Sequence, residues 1–314
     1  MNSTTDLVSL SNTTFSIEFW HIPLDIFNIV CLILVIILSL LFLLIIIFDK
    51  TCHTVPMLFV ANSCVIGVLH AGNMFWISIL RLQNDLQTAQ HQDRSCIFQA
   101  YLRYAFCAIV ICSFLLQAVY RYLIVFYPKH VTWLSLRSQF ILIVLTWLYG
   151  LTFPMAFMFT GDISYIADID VCDVPLRLSF ALIFLSLCVY SIPLSLVMFI
   201  YLKLIRYVKM MNQRVTPANV LFRIQRELKM IRQIVITIIV LVPICIPYTI
   251  FFILSFFTAL PVYYFRILFA FAVGSFLSTM LTVFRFTNPL KLSVMKKLNI
   301  RSKILIPTVR ITKV

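Results

Sequence analysis

Residues 96–126 read CIFQAYLRYAFCAIVICSFLLQAVYRYLIVF, thirty-one positions that include two arginines and no acid. About 20 apolar helical residues cross a bilayer core, so this stretch spans it with length left over for tilt. Six further windows have the same character: 22–48, 55–80, 136–160, 176–208, 226–257 and 262–289. Together they predict an all-α membrane protein, a seven-transmembrane helix bundle. The charges between the windows are sorted by side. With the N-terminus placed outside, nineteen Lys and Arg fall on the cytoplasmic side, four outside and two within spans; nine of the eleven Asp and Glu fall outside. The positive-inside bias counts Lys and Arg, and it puts the C-terminus in the cytoplasm.

Composition excludes a soluble chain: 62% of residues are hydrophobic and 11% charged, with a mean hydropathy of +1.03. A net charge of +14 raises the question of nucleic acid, but the basic residues border apolar helices and form no soluble patch. They read as anchors beside anionic headgroups, with membrane lipids as partner and no nucleic acid. The first twenty residues are polar and lack a basic segment followed by an apolar one, so the first span serves as its own signal-anchor. Asn2-Ser3-Thr4 and Asn12-Thr13-Thr14 fit the glycosylation pattern, which a tail placed outside by charge would expose to the modifying machinery. The expected organisation is an extracellular tail at 1–21, a seven-helix domain at 22–289, and a cytoplasmic amphipathic helix and basic tail at 290–314.

Landmarks recur in order along the spans. Cys96 opens the third span and Arg121 lies 25 residues later, about 37 Å along a helix and so at the opposite face. Cys172 sits in the connection between spans four and five, beside Asp168, Asp170 and Asp173. Asn62 is in span two, Trp147 in span four, Pro193 and Tyr201 in span five, Pro247 in span six, and Asn288-Pro289 ends span seven. With Tyr120-Arg121-Tyr122, this set resembles a divergent rhodopsin-like (class A) G-protein-coupled receptor over the whole chain, from Asn62 to the helix after Pro289.

The resemblance implies a plasma-membrane receptor that passes the binding of an extracellular ligand to a heterotrimeric G protein. It implies a Cys96–Cys172 disulfide that forms the lid of a pocket, in a compartment that permits such bonds. The other seven cysteines read as small apolar packing. Pro193 and Pro247 are expected to bend their helices. Tyr120, Arg121, Tyr122, Tyr201, Asn288 and Pro289 match the coupling switch. In this family the arginine is held in the inactive state by an acid on span six, here Glu227; a helix pair of Glu227 with Arg223 or Lys229 is the plainer alternative.

Departures are as informative. Tyr120 replaces the acid beside the key arginine. Gly67 stands where span two has aspartate, Ser39 where span one has asparagine, Cys245 where span six has tryptophan, and Leu292 where a tyrosine follows Asn-Pro. The sodium pocket of the family therefore lacks its carboxylate. Arg285, three residues before Asn288, is expected either to occupy the vacated space or to point to a neighbouring helix or headgroups.

Arg103 stands where amine receptors carry an aspartate. It reads as an anchor for a carboxylate or phosphate on the ligand; the alternative is that it reaches outward to Asp162, Asp168, Asp170 or Asp173, or snorkels to the interface. Tyr101, Tyr104, Cys107, Tyr248, Phe252, Phe256, Ser278 and Thr282 complete the candidate lining. Thr282 occupies the retinal lysine position, which excludes Schiff-base pigment chemistry. The ligand class is therefore read as peptide, acidic or chemosensory. The mid-membrane contains no carboxylate pair, no nucleophile–base arrangement and no metal-ligand spacing, so no enzyme, cofactor, catalytic residue or metal site is expected. A membrane transporter or channel using Arg103 and Arg285 is the alternative, although inverted repeats are lacking.

Overall fold

The computed structural model describes residues 21–49, 52–87, 95–127, 133–166, 171–175, 179–213, 247, 249–255, 257–258 and 264–286. Four long helices come first: α1 (His21–Phe48), α2 (Val55–Gln87), α3 (Cys96–Phe126) and α4 (Leu136–Thr160). A hairpin of β1 (Ser164–Ile166) and β2 (Val171–Asp173) follows. The fifth span comprises α5 (Phe180–Leu185), a π-helical turn (Ser186–Ser191) and α6 (Ile192–Gln213), and α7 (Tyr264–Phe286) is the last described helix. Among the described residues, six spans are long and apolar enough to cross a membrane. Of the sixth sequence span, 226–257, helix is described at Pro247 and at 249–254. The whole is a seven-helix bundle. Asn2, Asn12, Glu227, Tyr248, Phe256, Asn288, Pro289 and the segment 290–314 lie outside the described residues.

Local chemistry sets the ends. The Ser135 hydroxyl caps α4 by accepting from Ser138 N at 3.3 Å, and Ser179 caps α5 by accepting from Leu182 N at 3.2 Å. Gly161 ends α4 at φ 76°, a left-handed conformation that costs glycine nothing. Pro193 is the second residue after the π-helical turn, next to a stretch where the backbone is already wide. A second proline that the landmark set passed over, Pro154, lies inside α4. The second span runs seven residues beyond the expected end at 80, because Arg81 and Asp85 are satisfied within the protein.

α1 packs on α2 and α7, α2 on α3, and α3 on both α4 and α6. One face of α1 carries Leu32, Val35 and Phe42 into the interior, while Phe27, Val30, Leu34 and Ile37 stay exposed. So broad an apolar exterior matches lipid and not water. α3 and α4 lie close at Gly150, where an added Cβ would clash with Ile109 Cγ1 and lie 3.1 Å from Ile109 N and 3.3 Å from Ala105 O. Small residues at such a crossing let backbones approach without a hydrophobic drive. Deeper in, Trp147 Nε1 donates to Asn62 Oδ1 at 2.8 Å, and Asn62 Nδ2 donates to Ser113 Oγ at 2.9 Å. That relay joins α4, α2 and α3, and satisfies polar atoms that would be expensive to bury alone.

Candidate functional site

Cys96 and Cys172 form a disulfide with their Cα atoms 5.5 Å apart. It fastens the hairpin over one end of the bundle, here called the disulfide end. The strands pair antiparallel, with Tyr165 opposite Cys172 and Ile166 opposite Val171. Neighbouring side chains of a strand point to opposite faces. Val171 accordingly packs with Cys31, Ala71, Phe265 and Phe269 of α1, α2 and α7. Cys172 packs with Ala100, Tyr101, Phe157 and Leu182 of α3, α4 and α5.

Arg103 meets the same strand. Its Nη2 lies 2.8 Å from Asp173 Oδ1 and donates to the Cys172 carbonyl at 3.4 Å. The Tyr104 hydroxyl also donates to Asp173 Oδ1, as does Val174 N at 2.8 Å. Of the readings open for Arg103, the outward pairing with Asp173 is the one the structure displays. The guanidinium stacks 5.3 Å from the ring centres of both Tyr104 and Phe265.

A second charged group was not foreseen. Arg81 and Arg266 were expected among the flanking charges that meet headgroups; instead both turn inward. Asp25, with no exposed side-chain surface, takes Arg81 Nη1 on Oδ1 at 3.4 Å and Arg266 Nη1 on Oδ2 at 2.9 Å. Arg266 also holds Asp85 with both arms, at 2.6 and 2.7 Å. Arg81 lies 5.2 and 4.8 Å from the ring centres of Phe265 and Phe269. The available sequence signal was weak: Asp25 and Arg266 are charges set inside apolar windows, where a charge survives only with a partner.

Other expected lining residues are distributed unevenly. Phe252 packs against the α3–α4–α5 core beside Tyr104, and Cys107 is half-buried on α3. The Ser278 hydroxyl donates to Gly274 O at 2.8 Å and that of Thr282 to Ser278 O at 2.7 Å, so both protons are used within α7. Tyr101 is a correction: it is buried against α4, with its hydroxyl donating to Leu151 O at 2.8 Å.

At the opposite end Arg121 is buried, 9% exposed. Tyr120 turns away into the α2–α4 contact, its ring edge-on to Phe59 at 5.2 Å. Tyr122 packs on Phe126 at 4.5 Å, and Phe126 on Tyr207 at 4.6 Å, which joins α3 to α6. Tyr201 is buried with Ala118, Val197 and Leu204.

Of the two readings open for Arg285, the structure displays the one in which it does not fill the emptied sodium pocket. A Cβ on Gly67 would lie 2.8 Å from Met280 Cε and 2.9 Å from Ser39 Oγ; Ser39 in turn donates to Met280 Sδ at 3.7 Å. These two side chains close the space. Arg285 is exposed, because it follows buried Val283 by two residues, about 200° round the helix. A cavity of about 30 Å³ remains nearby, where Ser63, Ser113, Gln117 and Thr279 sit among mostly apolar side chains that include Met280. Among the described residues no cluster of three or more His, Cys, Asp or Glu is placed to hold a metal ion.

Comparison with known proteins bears on the fold and the family. The profile of the seven-transmembrane receptors of the rhodopsin family matches residues 38–290. Among solved structures, squid rhodopsin superposes with a TM-score of 0.74 at 15% identity, over 90% of this chain and 86% of that one. A search of curated proteins found no match.

Proposed function

The chain belongs to the rhodopsin family of seven-transmembrane receptors, and we propose that it turns the binding of an extracellular ligand at its disulfide end into activation of a heterotrimeric G protein at the end that carries Arg121. In this reading the protein sits in the plasma membrane with its N-terminus outside, as the charge sorting favours, and Asn2 and Asn12 carry glycans. The observation that carries it is the course of α3. One unbroken helix bears the disulfide to the hairpin at its first residue and buried Arg121 near its last. A displacement of the hairpin therefore reaches Arg121 through a stiff element. The ligand class remains that read from the residues: peptide, acidic or chemosensory. Glu227 is the proposed partner of Arg121 in the resting state, since Tyr120 is committed to Phe59. The transporter alternative drew on Arg103 and Arg285; the pairing of Arg103 with Asp173 and the exposure of Arg285 weigh against it.

The test is guanine-nucleotide exchange on a panel of purified G proteins, using membranes that contain the chain. We expect stimulation above empty membranes for at least one G protein, lost in Arg121→Ala and raised in Glu227→Gln at matched expression. Exchange no greater than with empty membranes for the whole panel, with substrate flux in proteoliposomes, would turn the assignment to a transporter.

A further inference from the structure

Three arginines and three aspartates meet at the disulfide end: Arg81, Arg103 and Arg266 with Asp25, Asp85 and Asp173. Their charges sum to zero. Within the set, Asp25 and Arg81 have no exposed side-chain surface, and Asp25 ties Arg81 and Arg266 together inside α1, α2 and α7. The Arg103–Asp173 pair is placed differently. Its side chains keep 11% and 15% of their surface, and it links a hairpin to a helix instead of linking helices to one another.

We propose that this pair is the recognition site for a small zwitterion of the α-amino-acid type, a refinement that rests on the receptor reading. The ligand carboxylate replaces Asp173 on Arg103, and its ammonium replaces Arg103 on Asp173. Charge bookkeeping favours a zwitterion over an ion of either sign. An acid alone would take Arg103 and leave the Asp173 carboxylate beside a second anion. An amine alone would take Asp173 and leave Arg103 without its counter-charge, on the same Phe265 ring that Arg81 already faces. Stripping one partner from a desolvated pair is strongly unfavourable. A zwitterion leaves both groups paired and the net charge at zero.

Spacing narrows the class. The two side chains touch at 2.8 Å, so an inserting molecule must carry its charges close together. An α-amino acid carries both on one carbon, whereas an ω-amino acid holds them several bonds apart. The surroundings select its body: Tyr104 and Phe265 flank the guanidinium. An aromatic or large apolar side chain suits these rings. Exchange would release the Arg103–Asp173 tie while the Tyr104 hydroxyl and the disulfide still hold the hairpin to α3, so ligand binding loosens that seat without freeing it.

The experiment measures thermal unfolding of the purified full-length receptor. Each of the twenty common amino acids is tested beside its amine and its acid, for example phenylalanine with phenethylamine and 3-phenylpropionate. We expect at least one amino acid to raise the unfolding temperature, at a concentration about thirtyfold or more below that of either singly charged relative. The effect should disappear in Arg103→Gln and in Asp173→Asn. The double variant Arg103→Gln/Asp173→Asn, which strands no charge, should fold and also fail to respond. The reversed pair Arg103→Asp/Asp173→Arg should respond again. No response to any amino acid, equal potency of a singly charged relative, or a response that survives in the double variant would each overturn the proposal. Ligand-free nucleotide exchange by wild type against Arg121→Ala tests signalling separately. A chain that signals but binds no amino acid thus loses this inference alone; one that binds without signalling loses the receptor reading and keeps the zwitterion site.

Discussion

Between α1, α2 and α7 the disulfide end is fastened by charge: one buried acid holds two arginines, and a second acid holds one of them again. Between α3 and α4 the fastening is steric and neutral, with Gly150 against Ala105 and Ile109, and Trp147 of α4 is hydrogen-bonded to Asn62 of α2. The contrast teaches how each half fails. A neutral contact loses what that contact contributed. A buried ion set loses more when one member goes, because the remaining charges stay desolvated.

The largest effect should therefore come from Asp25. Asp25→Leu strands Arg81 in the interior and should cost about 3–5 kcal/mol, read as a fall in unfolding temperature and in surface expression. Removing both ions in Asp25→Leu/Arg81→Leu leaves Asp85–Arg266 intact and should recover most of that loss. A double variant no better than the single one would show that the charge set is not the fastening it is taken to be. Next is Gly150→Ala, whose methyl meets backbone atoms of α3 as well as Ile109 Cγ1; forcing α4 outward should cost about 2–3 kcal/mol. Unchanged stability there would mean that the two helices are less closely pressed than the contact implies. Trp147→Phe deprives Asn62 Oδ1 of its donor and should cost about 1–2 kcal/mol, with little change when Asn62→Ala is already present, a coupling that a double-mutant cycle measures. Smallest is Arg285→Gln. An exposed arginine outside the ion pairs of the described residues should change stability by no more than about 0.5 kcal/mol, and a larger loss would return it to the interior.

The neutral half was the more legible one. Apolar windows are local, and the order of Cys96, Arg121 and Trp147 along them is visible in the chain, so the bundle and the family resemblance could be read there, and the resemblance in turn implied the disulfide. The charged half depends on residues far apart: Asp25 is 56 positions from Arg81 and 241 from Arg266. Counting charges at span ends placed each on the correct edge, yet pairing is decided by which faces the helices turn to one another. Gly67 shows the same limit. The missing carboxylate was visible, but not that Met280 would take its room, since a flexible thioether at helical spacing looks like any other core residue. Arg103 was left between two readings for a third reason: its partner Asp173 belongs to a hairpin whose register no local pattern announced.

That hairpin is worth following one step further. In β2 the side chain of Val171 enters one half of the bundle and that of Cys172 enters the other. A slip of a single residue would present each to the wrong half, undoing the covalent link and the apolar contact together. The strand thus has one seat and no graded alternatives. Its docking should behave as a single cooperative event, with the amide protons of β2 exchanging at one common rate rather than fraying from an end.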